Sequence, residues 1–187
     1  MVKEIIQIGD KRLGEKSKRV EKKEILSREI KDLIQDLKDT CNVEPDTSAG
    51  LSAVQIGVLK RVYIVRRIDI EKEEDEPIWE AMINPEVETE GKQTSIIWEG
   101  CLSVGTDKNR LFGPVDRHTY VTVRYLNERG EQKELKAKGF FAHIIQHEQD
   151  HLDGILFLKY VSDPRNLWKL EDLDAYITEN ESYPAIV

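Results

Sequence analysis

The chain has 187 residues, enough for one domain with its own core, and a formal net charge of -8 at pH 7. That acidity excludes a general binder of DNA or other nucleic acid, whose affinity comes from cations on phosphates, and it excludes docking on an anionic membrane surface. Charged residues make up 34% of the chain and no apolar run approaches the length of a bilayer span, so a soluble protein is expected.

Ser27 predicts the start of an amphipathic helix that runs to Cys41, with Ile30, Leu33, Ile34 and Leu37 at helical spacing. Asn42 to Ala49, with Pro45, Asp46 and Ser48, reads as a loop. Val62 to Val65 predicts a short strand, and the acidic run Glu71 to Glu76, ended by Pro77, a solvated loop. Met82 to Val87 and Thr94 to Trp98 predict further strands. Tyr120 to Leu126 and Lys133 to Ala137 predict a hairpin turning at Asn127-Glu128-Arg129-Gly130. Gly139 opens a helix that Gly154 stops, and a last helix is expected over Asn166 to Glu179. The order implies a single α+β domain over residues 1–187, with a C-terminal helix and tail from about 163. The tail carries Asp163, Glu171, Asp172, Asp174, Glu179 and Glu181 against Arg165 and Lys169, so it is not expected to dock by charge on ribosomal RNA. The start of the chain does not read as a secretory signal, and Cys41 and Cys101 fit a reduced, cytoplasmic protein. Cys41 reads as a small buried hydrophobe, and Trp79, Trp98 and Trp168 as packing groups.

The chemistry sits in His147-Glu148-Gln149-Asp150-His151. Residues four apart on a helix stand one above the other, so both imidazoles can reach one metal ion with Glu148 beside it as a candidate general base. Two protein ligands are too few for a site. Cys101, in Glu99-Gly100-Cys101-Leu102-Ser103, is the best third ligand. Imidazole and thiolate suit zinc or ferrous iron. Such an ion lowers the pKa of water toward about 7. Amide hydrolysis also needs donors aimed at the developing oxyanion, and the small-residue loop Ala49 to Gln55, ending in a neutral amide, has that character.

These segments, in this order, resemble the three motifs of the peptide deformylase family. The second motif is complete at Glu99 to Ser103, and the third at Gln146 to Gly154. The first matches at Gly50, Leu51, Ala53 and Gln55 and departs at Ser48, where the family has glycine, and Ser52, where it has alanine. The similarity takes in most of residues 5–161. It implies removal of the N-formyl group from the initiator methionine of nascent proteins by a small α+β domain, with antiparallel strands packed around the helix bearing the metal motif. It further implies Cys101, His147 and His151 as ligands of one ferrous ion, with zinc or nickel able to substitute. Glu148 would be the general acid/base, with Gln55 and the backbone N–H of Leu102 on the formyl carbonyl. Gly50 would align the peptide, and Ala49, Ile97, Phe140, His143 and Ile144 would surround the methionine side chain. The nascent peptide is then the partner of an expected monomer, and any contact with the ribosome is transient.

Three features need weighing. A serine at 48 costs energy if the position needs a positive φ. The Ser52 hydroxyl is expected to bond locally, and neither serine is placed on a ligand, so activity is expected to survive. The hydrophilic stretch Gly105 to Arg110 is longer and more charged than the resemblance suggests and can reshape the outer cleft. His143 lies one turn before His147 and is read as beyond the metal. Glu99 is read as a structural carboxylate, with Arg117 its candidate partner. Two rival functions stand beside this one. A zinc endopeptidase would need a third histidine where Phe157 stands, or a glutamate such as Glu171. A deformylase-like domain kept for peptide binding or metal sensing would not need Glu148.

Overall fold

The computed structural model describes residues 1–43, 48–71 and 76–187. The expected loop residues Pro45 and Asp46, and most of the acidic run, lie outside the described residues. Helix α1 (Arg28–Cys41) starts where Ser27 accepts the N–H of Ile30 and buries Ile30, Leu33, Ile34, Leu37 and Cys41. Strand β1 (Gly50–Ser52) leads into a 3-10 turn, Ala53–Ile56, so the stretch read as a loop is ordered by strand pairing. Strands β2 (Val62–Arg66) and β3 (Trp79–Thr89) follow; β3 outruns its predicted limits because pairing with β2 and β6 extends it at both ends, and a bulge between Ile83 and Glu86 absorbs Pro85.

Strand β4 (Thr94–Gly100) pairs along its length with β5 (Leu111–His118), a strand absent from the predicted elements. The structure tolerates Pro114 because β5 has a second neighbour only at Leu111 and Phe112, leaving an edge at the proline. Strands β6 (Tyr120–Leu126) and β7 (Gln132–Lys138) form the expected hairpin. Helix α2 (Gly139–Leu152) carries the His-Glu-x-x-His element. It stops at Gly154, whose φ is +73° and whose absent Cβ would lie 2.6 Å from the Gly14 carbonyl oxygen, so the position accepts only glycine without strain. The final helix starts later than expected. Asn166 closes a 3-10 turn, Trp168–Lys169 form β8 against Leu111 and Phe112, and α3 spans Leu170–Asn180. The long-range pairing to β5 overrides the local helical pattern there.

Two antiparallel sheets result, β1-β2-β3-β6-β7 and β4-β5-β8. Alternation along β2 explains the layers. Val62 and Ile64 face α1 in one apolar cluster, while Tyr63 and Val65 join Phe141, Ala142 and Ile145 of α2 in another. The sheet is buried on both faces at β2, and α2 lies between it and the β4–β5 ribbon, where Val115 joins Cys101, Val104 and Phe157 in a third apolar cluster. This is the α+β domain with a central motif helix that the sequence implied. Among the described residues no helix is long and apolar enough to cross a membrane. Glu71, expected to be solvated, instead has a mostly buried side chain accepting from Arg66 Nε at 2.9 Å.

Candidate active site

The i, i+4 spacing brings the His147 and His151 rings to 4.9 Å between centroids. Cys101 follows the end of β4, and its Sγ lies 3.3 Å from His151 Nε2. One ligand atom from each of Cys101, His147 and His151 lies within 4.8 Å of the others. All of this follows from helix geometry on one side and the β4–β5 register on the other.

His147 is oriented from behind. Glu99 Oε2 lies 3.0 Å from His147 Nδ1. A carboxylate only accepts, so Nδ1 carries the hydrogen and Nε2 is left to the cluster. The same carboxylate takes Arg117 Nε on Oε1 at 2.5 Å and Arg117 Nη2 on Oε2 at 3.0 Å. Arg117 Nη1 reaches Asp150 at 2.7 Å. Burial alone would raise the Glu99 pKa, but His143, His147 and Arg117 outweigh it and hold the carboxyl well below its ordinary range. The pairing expected between Glu99 and Arg117 is therefore present and buried. His143 lies outside the ligand cluster: its Nδ1 donates to Glu99 at 3.3 Å and its Nε2 lies 3.1 Å from the Ser95 hydroxyl.

The donor set fits a cation that accepts thiolate and imidazole. Burial pushes the His151 pKa well below normal, keeping it neutral as a ligand must be. His147 moves the other way. Burial opposes its charge, but Cys101 and Glu99 outweigh burial.

Glu148 is buried at 3% exposure, and desolvation raises its pKa to about 7, against smaller lowering effects of His147 and the Ser52 hydroxyl. That suits a group that must both take and return a proton near neutrality. Gly50 makes its position possible: a Cβ there would lie 2.7 Å from Glu148 Oε1. Gln55 is held by the Ser52 N–H, 2.8 Å from its Oε1, and points Nε2 toward Ser103 Oγ at 3.2 Å and Cys101 Sγ at 3.6 Å.

One cavity joins these groups. Ala49, Gly50, Gln55, Cys101, Leu102, Phe140, His143, Ile144, His147 and Glu148 line it. Ile97 does not; it is half-buried in β4 opposite Val115. Sequence reasoning missed Trp98, Arg110 and Phe112, which also line the cavity. Trp98 is thus wall rather than packing, and Tyr183 from the C-terminal tail stacks on it at 5.7 Å. Arg110, at the end of the hydrophilic stretch, is 9% exposed and lines the cavity. Lys108 and Glu171 form an exposed ion pair at 3.2 Å that links the hydrophilic stretch to α3.

Ser48 has no positive φ; among the described residues the non-glycine ones that do are Asn84, Asp107 and Glu181, so the feared backbone cost does not arise. The Ser52 hydroxyl forms a capping box with Gln55 in its own loop, as expected, and also bonds across to α2. For the endopeptidase reading, Phe157 stacks on His147 at 6.4 Å, and Glu171 is an exposed partner of Lys108 outside the cluster.

The polypeptide deformylase family matches residues 2–166. The peptide deformylase of Thermomicrobium roseum is 38% identical over 173 residues, covering 91% of this chain and 92% of its own. A crystal structure of peptide deformylase from Ehrlichia chaffeensis superposes with a TM-score of 0.74 at 33% identity, covering 89% of this chain and 91% of that one. A Met-Ala-Ser-bound class I type b peptide deformylase from Acinetobacter baumannii gives 0.74 at 31% identity, with 86% and 98% covered. The chain belongs to the peptide deformylase family, metal-dependent hydrolases that remove the N-formyl group from newly made peptides.

Proposed function

We propose that Cys101, His147 and His151 hold one ferrous ion, that zinc or nickel can stand in for it, and that the enzyme works in the cytoplasm as a monomer on the formyl-methionyl ends of nascent proteins. The observation that carries the ligand assignment is the convergence of their three ligand atoms within 4.8 Å. A metal held there supplies a Lewis acid that makes water a nucleophile at neutral pH.

The remaining steps belong to side chains. Glu148, with its carboxyl at about 7, takes the proton from water and hands it to the departing amine. The Gln55 amide and the Leu102 N–H receive the negative charge that develops on the formyl oxygen. Glu99, fixed by Arg117, keeps His147 in the tautomer that ligates. Ala49, Phe140, His143 and Ile144, with Trp98 added, enclose the methionine side chain, and the Gly50 backbone aligns the peptide. The catalytic domain takes in residues 1–187, with the C-terminal helix and tail from about 163 bounding the cleft. Contact with the ribosome is transient and does not use the acidic tail.

Elemental analysis and kinetics of three variants test the roles. Cys101→Ala should lose the metal. Glu148→Ala should keep it and lose turnover. Gln55→Ala should lose roughly 10²–10³ in kcat, the effect of removing one oxyanion donor. A Cys101→Ala protein that binds metal as tightly as the parent contradicts the ligand set. Full peptide affinity and unchanged biological function in Glu148→Ala would favour the binding role.

A further inference from the structure

Ser52 stands where the family pattern has alanine, and its hydroxyl reaches the carboxylate assigned to proton transfer. Ser52 Oγ lies 2.7 Å from Glu148 Oε2 and 3.0 Å from the Glu148 main-chain oxygen. The residue is fully buried, so solvent does not compete for the hydroxyl. Its main-chain N–H meanwhile holds Gln55 Oε1 at 2.8 Å. Position 52 therefore touches both the carboxylate and the amide that the reaction uses. Alanine would keep the backbone bond to Gln55 Oε1 but lose the side-chain half of the capping box with Gln55. What serine adds is the hydroxyl alone.

The last torsion of a glutamate is broad and soft. Two neighbours confine it here: the bare Cα of Gly50, whose Cβ would lie 2.7 Å from Oε1, and the Ser52 hydroxyl on Oε2. A hydroxyl has one hydrogen to give. The carboxylate oxygen is the nearer acceptor, and a hydrogen bond to a charged acceptor is the stronger one.

We propose that Ser52 is a positioning residue that donates to Glu148 Oε2, fixes the plane of the carboxylate, and leaves Oε1 on the Gly50 side for water and the departing amine. This rests on the role given to Glu148 above. The competing explanation is structural: the hydroxyl merely ties β1 to the α2 backbone through the Glu148 main-chain oxygen.

The two are separated with nickel-loaded protein of matched metal content, using Ser52→Ala, Ser52→Cys (similar size, weak donor) and Ser52→Thr (hydroxyl kept). The probes are turnover of formyl-Met-Ala-Ser, calorimetric affinity for a peptide hydroxamate, and the thermal midpoint. Positioning predicts that alanine and cysteine lower kcat about tenfold with KM within about twofold, below the roughly 10²-fold that a 1 Å misplacement can cost. The hydroxamate affinity falls in step, the midpoint stays put, and threonine restores kcat. If threonine does not fit the buried site and fails to fold, the alanine and cysteine variants decide alone. Unchanged kcat in Ser52→Ala, or a loss that follows the thermal midpoint, overturns the proposal. An active Glu148→Ala enzyme overturns the assignment of Glu148 itself, and is recognised separately because it does not involve Ser52.

Discussion

Arg117→Met offers the sharpest view of how the site is held. The Arg117 and Glu99 side chains are 5% and 6% exposed, and the guanidinium grips the carboxylate in two places. Methionine keeps much of the volume and removes the charge. Glu99 is then left buried without its guanidinium, held only by His143 and His147, and Asp150 keeps the Tyr160 hydroxyl at 3.1 Å. Breaking one side of a buried pair costs roughly 3–5 kcal/mol. For a domain of this size each kcal/mol is worth roughly 2–4 °C, so the melting midpoint should fall by roughly 6–20 °C. Glu99→Gln combined with Arg117→Met removes both charges and should be less destabilised than the sum of the single changes by roughly 1–3 kcal/mol. Urea unfolding of the four proteins, metal-free, measures this cycle. A cost below about 1 kcal/mol for Arg117→Met, or strict additivity, would refute the argument that Glu99 and Arg117 depend on each other in the buried site.

Gly50→Ala should preserve the fold and lower kcat, because the new Cβ displaces the Glu148 carboxylate it would meet at 2.7 Å; circular dichroism and turnover together check it, and wild-type turnover contradicts it. The Glu99 carboxyl is depressed in the folded protein despite burial, because His143, His147 and Arg117 outweigh it, so its stabilisation is present above the unfolded carboxylate value of about 4.3 and is lost as pH falls below it. Metal-free protein should therefore lose stability from about pH 5 downward, and Glu99→Gln should flatten that slope. A thiolate beside ferrous iron is oxidisable, so the iron form should lose activity in air while the nickel form keeps it; equal lifetimes would count against Cys101 as a ligand.

The sequence made the metal motif legible because it is local: helical spacing alone puts His147 and His151 together. Cys101 and Glu99 were legible only through motif order, and the structure brings both to α2 by way of β4. What stayed hidden depends on long-range pairing. Gly113-Pro114 interrupts a strand pattern, yet β5 forms because at the proline it pairs only with β4 and has no second neighbour. Trp98 reads as a packing group until the β4 register turns it to the cavity. Arg110 sits in a hydrophilic stretch that composition assigns to solvent, and it is buried by the cleft and the C-terminal elements. Ser52 looked like a neutral exchange for alanine because nothing local reveals which side chain on α2 it will face.

The central claim is that Glu148 drives hydrolysis of a formyl amide at a site made by Cys101, His147 and His151. The most direct measurement is release of free amine from formyl-Met-Ala-Ser by anaerobically prepared, iron-loaded enzyme and by its Glu148→Ala variant, with metal content determined on both. Rapid release by the parent, and loss of release by a variant that still holds its metal, is the predicted result. Release that survives Glu148→Ala, or none from the metal-loaded parent, would contradict it.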